Sequence, residues 1–487
     1  MLTRINFWVW VGLLMGMRLL SMAVSPLVDT SEPRYAEMAR LMLVTNDWIT
    51  PWFSPEVPFW GKPPLSFWAE ALSFKWLGVN ELAVRLPSLL ATLGTAGLLY
   101  KLACVQFGQR VGQGAVLVFC SGLLVFVATG AALTDPFLAL ATTWAMVAYA
   151  LAQSNPHWSW RYGFFVALAL GMLSKGPLVG VLVGGPLLAS LFWFKSSRAG
   201  FKTMPWLSGL TLMLLLSLPW YVLAELKTPG FLNYFLVGEH FLRFIDPGWA
   251  GDLYGSAHRR PKGMIWADAL GASLPWGVLA LAVLLRHASQ PAGRLRLRHN
   301  LQDPRLFYLL AWTLFTPMFF TLSGNILWTY VLPALPAFSL LVALSLRDAF
   351  ERSLTIRRTL LVLVVAAPLV SSAILIQGVL QPMTLKTERN LVRQALGLMQ
   401  PTDQLAYWGA LPFSATFYSR GLAQSLNTES LKEKTIAHSI YLAVLKEAWP
   451  AVQQQLPPDT ETVGQNLRYI LVLVRPSSPP TGVSNGR

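Results

Sequence analysis

The run MPWLSGLTLMLLLSLPWYVLA, residues 204–224, contains no charged side chain. A helix needs about 20 mostly apolar residues to cross the hydrocarbon of a bilayer, so this run reads as a transmembrane helix. Windows of similar length recur at 7–27, 83–105, 111–129, 132–153, 160–173, 176–194, 263–285, 306–322, 327–346 and 359–379. The fold class expected is therefore an α-helical polytopic membrane protein. About eleven helices are expected, and up to thirteen, because only short turns separate several windows. The first window reads as a span rather than a signal peptide: only Arg4 precedes it, and Ser21-Met22-Ala23 is a poor cleavage site.

Composition agrees. Of 487 residues, 54% are hydrophobic and 13% charged, and the mean hydropathy is +0.48. A soluble protein carries about 25% charge, so an ordinary soluble enzyme is excluded, as is a disordered chain. Cys104 and Cys120 both lie in apolar runs, which leaves no disulfide framework and no thiol metal cluster.

The net charge of +15 could point to nucleic acid, but its placement explains it better. With the N-terminus in the cytoplasm, alternate loops hold Lys101 and Arg110, Arg161, then Lys195, Arg198 and Lys202. Later ones hold Arg286, Arg294, Arg296, Arg298 and Arg305, then Arg347, Arg352, Arg357 and Arg358. The short loops near 130 and 324 have neither Lys nor Arg, which is the positive-inside asymmetry. An odd number of spans puts the C-terminal segment outside the cytoplasm.

Three regions escape the bilayer pattern. Loops 28–82 and 225–262 belong to a transmembrane domain, 1–380; a small α/β soluble domain covers 381–475, and the Pro- and Ser-rich residues 476–487 read as a disordered tail. In the soluble domain, 469–474 is strand-like and the stretch around 439–455 helix-like. The rhythm of Tyr35, Met38, Leu41 and Met42 predicts an amphipathic helix over 34–44 lying on the membrane surface. A second follows Gly61-Lys62-Pro63-Pro64, with Leu65, Trp68, Leu72 and Trp76 as its apolar stripe. Such helices hold polar groups at headgroup depth, where an enzyme acting on a lipid phosphate needs them.

Lone polar residues end several spans. Asp135, in a turn of Gly, Ala and Leu, is costly unless paired or hydrated and is a functional candidate by default; as Asp before Pro it could equally cap the next helix. Lys175 is the matching lone cation in another external turn, and Tyr330 lies just inside a span. Arg34 and Glu37 could be an ordinary helix-face pair, and His240 and His258 solvent-facing loop residues. Singly these signals are weak; their gathering on one side of the membrane carries the argument.

The run Asp29-Thr30-Ser31-Glu32-Pro33-Arg34-Tyr35-Ala36-Glu37-Met38 resembles the first-loop motif of GT-C type polyprenyl-phosphate-sugar glycosyltransferases. The resemblance is to the lipid A aminoarabinose transferases and, more distantly, to the protein O-mannosyltransferases. It extends through Gly61-Lys62-Pro63-Pro64-Leu65, Glu81-Leu82-Ala83-Val84-Arg85-Leu86-Pro87, Leu133-Thr134-Asp135-Pro136-Phe137, Leu173-Ser174-Lys175-Gly176, Glu239-His240-Phe241-Leu242-Arg243-Phe244 and Thr329-Tyr330-Val331-Leu332-Pro333, in the family's order over about residues 7–345.

The resemblance implies an enzyme of the bacterial inner membrane that moves a sugar from polyprenyl (undecaprenyl) phosphate to lipid A or another lipopolysaccharide-type acceptor on the periplasmic face, with inversion. A carboxylate would deprotonate or orient the acceptor, and cations would stabilise the leaving lipid phosphate. Asp29, Glu32 and Asp135 are the catalytic candidates by this resemblance. Arg34, Tyr35, Lys62, His240, Arg243, His258, Arg259 and Tyr330 are the substrate-binding ones. Ser31 stands where the lipid A enzymes carry the catalytic aspartate, so either Asp29, through a rearranged turn, or Glu32 takes its role. Gly61 stands where they have a glutamate that belongs to the active site; its loss disfavours a divalent metal, and no cofactor is otherwise implied. Ser323-Gly324-Asn325-Ile326-Leu327-Trp328 lacks the lysine often found before the Thr-Tyr pair. The partners expected are the lipid-linked sugar donor, a glycan or lipid acceptor and membrane lipids, without nucleic acid. A protein acceptor is the enzymatic alternative. A lipid-linked sugar transporter is the other; it would place its charges near the midplane, where Arg18 is the main exception to a charge-free interior.

Overall fold

The computed structural model describes residues 4–246, 248–255, 259–429 and 438–475. The expected tail, 476–487, lies outside the described residues, as does His258. Helix occupies every one of the eleven apolar windows. The helices are α1 (Arg4–Val24), α2 (Ser31–Thr45), α3 (Leu65–Leu77), α4 (Glu81–Phe107), α5 (Gln109–Ser121), α6 (Leu123–Thr129), α7 (Asp135–Ser154), α8 (Trp158–Lys175) and α9 (Leu178–Trp193). They continue with α10 (Lys195–Lys202), α11 (Trp206–Lys227), α12 (Arg243–Ile245), α13 (Ile265–Ala272), α14 (Trp276–Ser289), α15 (Pro291–Leu301), α16 (Pro304–Phe320), α17 (Leu335–Arg352) and α18 (Leu354–Leu380).

By length and composition, six of the described segments can cross a membrane: Phe7–Val24, Glu81–Phe107, Asp135–Ser154, Trp206–Lys227, Trp328–Arg352 and Leu354–Leu380. The number rises to eight if α5–α6, bent by 70°, and α13–α14, bent by 107°, each count as one span. The bend at Gly122 follows from a residue in extended conformation between α5 and α6. The remaining apolar windows, on α8, α9 and α16, are occupied by helices of 18, 16 and 17 residues. The chain is a multi-pass membrane protein.

The chain divides into two compact units, residues 1–23 with 38–373, and residues 24–37 with 374–487. In the first unit α7 packs along α8 and α4, and α5 along α4 and α17. Their shared faces hold Leu99, Phe119, Met146, Tyr149, Phe164 and Leu340, all buried. Asn80 caps α4, its Oδ1 accepting from Ala83 N at 2.9 Å, which satisfies one of the orphan donors of a helix start. Arg18 faces the interior: its guanidinium donates to Val127 O at 2.7 Å and lies 5.5 Å from the Phe126 ring centre.

Both amphipathic segments are helices, α2 and α3, but they differ in setting. Along α3 only the C-terminal half of the predicted stripe faces outward, Trp76 being 82% exposed and Leu72 exposed; Leu65 and Trp68 pack against the cluster of Trp220 and Phe231, while Phe67, Ala71 and Phe74 are buried. Along α2 the expectation of a helix lying on the membrane is corrected. Met38, Met42, Glu37 and Arg40 are all buried, so neither its apolar nor its polar side is left for lipid.

The second unit contains the expected α/β fold. Five strands, β3 (Gln404–Trp408), β4 (Gln424–Leu426), β5 (Ile440–Leu445), β6 (Glu461–Gln465) and β7 (Tyr469–Val474), form a sheet in the order β4-β3-β5-β7-β6. A two-stranded ribbon, β1 (Trp52–Ser54) with β2 (Val57–Pro58), lies in the first unit. β5 runs parallel to β3 and antiparallel to β7. The strand-like 469–474 is β7, whereas the helix expected around 439–455 is instead β5 followed by the short α-helix Trp449–Gln453. Ile440, Leu442 and Val444 pack on one face of the sheet and Tyr441 and Ala443 on the other. A six-residue apolar run buried on both faces gives no alternation to read.

Candidate functional site

Loop 225–262 is regular in part. Asn233–Leu242 winds as a π-helix, a wide turn that recurs at functional sites. This winding brings Glu239, His240 and Arg243 to one end of the helical bundle. The Glu239 carboxylate is the hub. Its Oε1 accepts from Arg243 NH1 at 2.7 Å and its Oε2 from Lys62 Nζ at 3.2 Å. Asp252 adds a second carboxylate 3.4 Å from Arg243. Burial alone would raise the Glu239 pKa, but Lys62 and Arg243 outweigh it and hold the carboxyl below its ordinary value.

Lys62 is presented by the turn after β2. Gly61 allows this turn because the Phe59 ring lies over it: a Cβ at Gly61 would stand 2.8 Å from the ring edge. Phe59 in turn meets Tyr254, ring centres 4.7 Å apart. The Tyr254 hydroxyl donates to Pro58 O at 2.7 Å and accepts from Trp60 N at 3.0 Å, which ties the Lys62 turn to loop 225–262.

The second charged pair lies between helix ends. Lys175, last residue of α8, donates to Asp135 Oδ1 at 2.7 Å, and both side chains are below 10% exposed. Asp135 is therefore a partner for Lys175; Thr134, not Asp135, precedes the first turn of α7, and no side chain caps that helix. Lys175 Nζ also stands 4.9 Å from the Tyr330 ring centre, within cation–π range. His240 places Nδ1 2.7 Å from Phe235 O and Nε2 3.0 Å from Lys175 O. A neutral ring can donate to only one of these carbonyls. Burial lowers the His240 pKa despite both carbonyls, which favour the charged ring.

These side chains surround one cavity of about 210 Å³. Lys62, Lys175, Glu239, His240, Arg243 and Tyr330 form its polar side, and Leu178, Val181, Phe244, Phe319 and Phe320 an apolar wall. The lining thus offers three cations against one carboxylate and a greasy flank, an arrangement suited to an anionic headgroup on an apolar tail.

Four sequence candidates, Lys62, His240, Arg243 and Tyr330, meet here. Arg259 does not line the cavity; it is exposed, on a β-bridge to Asn325. Asp29, Glu32, Arg34 and Tyr35 belong to the second unit. There Asp29 accepts from Ser414 N at 2.9 Å, from Ser414 Oγ at 2.8 Å and from the Arg468 guanidinium. Arg34 stacks over Tyr35 and Phe413. Glu32, in the first turn of α2, is half-buried. Lys175 and Glu239 were not among the sequence-predicted site residues, although the lone charge in Leu173-Ser174-Lys175-Gly176 signalled the former. Among the described residues, no three His, Cys, Asp or Glu side chains converge on a metal-sized position.

Residues 9–235 match the family model for dolichyl-phosphate-mannose-protein mannosyltransferases. The undecaprenyl phosphate-alpha-4-amino-4-deoxy-L-arabinose arabinosyl transferase of Yersinia pestis (strain Pestoides F) is 30% identical over 318 residues, 64% of this chain and 54% of that protein. Transferase 1 of the same description from Proteus mirabilis (strain HI4320) is 32% identical over 331 residues, 66% of this chain and 56% of that one. The chain spans little more than half the length of these curated relatives. Among solved structures, ArnT from Cupriavidus metallidurans bound to undecaprenyl phosphate superposes with a TM-score of 0.75 at 17% identity, over 96% of this chain and 97% of that one. That likeness extends the agreement in fold over the C-terminal sheet as well as the helices.

Proposed function

From the GT-C fold of this chain and its resemblance to the aminoarabinose transferases, we propose that it is a membrane glycosyltransferase using a polyprenyl-phosphate-linked sugar. In this reading the donor is an undecaprenyl phosphate sugar. The acceptor is lipid A or another lipopolysaccharide component, reached on the periplasmic side of the inner membrane with the N-terminus in the cytoplasm. The observation that carries it is the cavity where Lys62, Lys175 and Arg243 face an apolar wall of Phe244, Phe319 and Phe320. The cations suit the lipid phosphate and the wall suits the first prenyl units. The arginine-rich loops of the opposite polarity support the orientation.

Attack by an acceptor oxygen on the anomeric carbon forms the new glycosidic bond and breaks the bond from that carbon to the phosphate oxygen. Both electrons leave with the polyprenyl phosphate, and a single displacement inverts the anomeric centre. Lys62 and Arg243 would take the growing negative charge, at the expense of their bonds to Glu239. Lys175 would act from beside Tyr330, with Asp135 as its positioning residue. The proton of an attacking hydroxyl would go to a carboxylate, for which the first-loop motif offers Asp29 and Glu32. Asp29 receives three hydrogen bonds, which hold the turn before α2. Arg34 and Tyr35 would order that turn.

The test compares the lipid A mass spectra of cells lacking the gene with those carrying the native chain, Lys62→Ala, Arg243→Ala or Glu32→Gln. A sugar-sized mass restored by the native chain and not by the variants is the expected result. Unchanged glycolipids with a loss of protein glycosylation would replace the acceptor by a protein. Accumulation of lipid-linked sugar on the cytoplasmic side would replace the transferase by a transporter.

A further inference from the structure

A second cavity in the first unit lies at the other end of the bundle. α17 begins beside the 3₁₀ turn Trp328–Ala334 that carries Tyr330 and runs 18 residues to Arg352. At 1.5 Å per residue it spans about 27 Å, close to the hydrocarbon thickness of a bilayer. At its far end a cavity of about 400 Å³ opens between α5, α17 and α18. Its mouth is set by Arg110, Arg347 and Arg357 with one carboxylate, Glu351. Glu351 is taken by Arg110 at 2.9 Å. Among the described residues, neither Arg347 nor Arg357 is paired with a carboxylate.

Inward from that mouth the lining turns apolar. Leu117 and Val118 of α5, Ala343 of α17, and Leu360 and Val364 of α18 form the walls, with Trp276 at the kink between α13 and α14. Trp276 is buried and its one polar atom is satisfied, Nε1 donating to Ser121 Oγ at 2.9 Å. From Arg110 to Val118 the helical rise is about 12 Å, so the space is a channel with two cations at its rim that no carboxylate pairs and one polar side chain, Gln113, on its otherwise apolar wall.

We propose that this cavity binds an anionic glycerophospholipid of the arginine-rich leaflet, with its phosphate between Arg347 and Arg357 and one acyl chain inserted towards Trp276. Charge selects the lipid. A zwitterionic headgroup carries its own ammonium to the rim and gains little from two guanidinium groups, whereas a singly anionic one gains both. A lipid seated here would bridge α5, α17 and α18, the last of which meets the bundle in this region only through Leu360 and Val364 among its fully buried side chains before Pro368. The site lies a whole helix length from Tyr330, so it is separate from the donor cavity.

Native mass spectrometry of the full chain in a neutral detergent, with phosphatidylglycerol or phosphatidylcholine of the same chains added, tests this directly. Phosphatidylglycerol adducts should dominate, and each of Arg347→Gln and Arg357→Gln should weaken them roughly five-fold, the factor equivalent to ~1 kcal/mol per arginine at a membrane surface. Both positions are at least partly exposed, so the substitutions leave the core intact. Leu361→Trp, on the cavity wall, should block the chain while leaving both arginines in place. Equal binding of the two lipids, a preference that survives the double Gln variant, or displacement of phosphatidylglycerol by an equimolar polyprenyl phosphate would each overturn the proposal. The readout needs no turnover, so a chain found inactive in sugar transfer would leave this result standing.

Discussion

Arg468, the residue before β7, donates to Glu388 Oε1 at 2.9 Å, and the same guanidinium bonds the carboxylate of Asp29. Asp29 and Arg468 are 439 residues apart in sequence. Glu388 is fully buried and Asp29 has 3% of its side chain exposed. Asn466 Nδ2 donates to Glu388 Oε2 at 2.7 Å, and the Tyr407 hydroxyl approaches the same oxygen at 3.3 Å. The start of the first loop is therefore a structural part of the C-terminal unit, and one arginine serves two carboxylates.

Removing that arginine should be severe. Arg468→Ala leaves two buried carboxylates without their shared cation, and breaking such a pair costs about 3–5 kcal/mol. Thermal unfolding of the detergent-solubilised chain should show a large drop in the transition of this unit. Ser414→Ala, which removes one of the three bonds to Asp29, should cost about 1 kcal/mol. Equal effects of the two substitutions would contradict this ranking.

The same network should respond to pH. Burial raises the Glu388 pKa, and Arg468 and Asn466 pull it back only in part. The folded state thus holds the Glu388 proton more tightly than the unfolded chain does, so its contribution to stability falls as pH rises from the ordinary glutamate value, about 4.3, through the raised folded value. Glu388→Gln should flatten that part of the stability profile. A native profile already flat there would remove the argument.

Much of this architecture is legible in the sequence, because apolar windows and helical rhythm are local. α2, α3 and β7 fall where periodicity puts them, and Lys62, Arg243 and Tyr330 do meet. What periodicity misses depends on partners far along the chain. Asp29 reads as a reactive carboxylate beside Glu32, whereas Ser414 and Arg468, far along the chain, bond it. Glu239 reads as one acid in a mixed loop until a π-helix, which has no simple sequence signature, turns it between Lys62 and Arg243. The burial of α2 is equally invisible, since its apolar rhythm suits a membrane surface or a protein interior.

Gly61 gives a steric prediction. The glutamate found there in the resembling lipid A enzymes cannot be restored without moving Phe59, whose ring would lie 2.8 Å from the new Cβ. Gly61→Glu should destabilise the chain by about 1–3 kcal/mol, the usual cost of overpacking. Phe59→Leu combined with Gly61→Glu should cost less than the two single changes added together, a coupling read from thermal unfolding of all three variants.

The Lys175–Asp135 pair separates stability from binding. Asp135→Ala strands a buried lysine and should cost about 3–5 kcal/mol. Replacing both, Asp135→Leu with Lys175→Met, removes the stranded charge and should recover most of that loss. If Lys175 holds the lipid phosphate, the double variant will be stable yet bind polyprenyl phosphate more weakly than the native chain. A stable double variant with native affinity would leave the pair a purely structural role.

Glu239 makes the sharpest test of the donor cavity, because its carboxylate and a lipid phosphate would compete for the same cations. Lys62→Ala and Arg243→Ala should each weaken polyprenyl phosphate binding roughly ten-fold or more, as loss of a charge-assisted hydrogen bond does. Glu239→Gln should do the opposite. It removes the carboxylate charge that Lys62 and Arg243 share, leaving Asp252 beside Arg243, and should tighten the lipid, read by titration into the chain in nanodiscs. The pH dependence has the matching sign. The depressed Glu239 pKa keeps its ion pairs intact above the ordinary glutamate range and loses them as pH falls through the folded value. Affinity in the native chain should therefore rise in acid, to the extent that the lipid phosphate itself stays charged, and Glu239→Gln should abolish that rise. If Glu239→Gln weakens the lipid as much as Arg243→Ala does, the carboxylate is instead the scaffold that presents both cations.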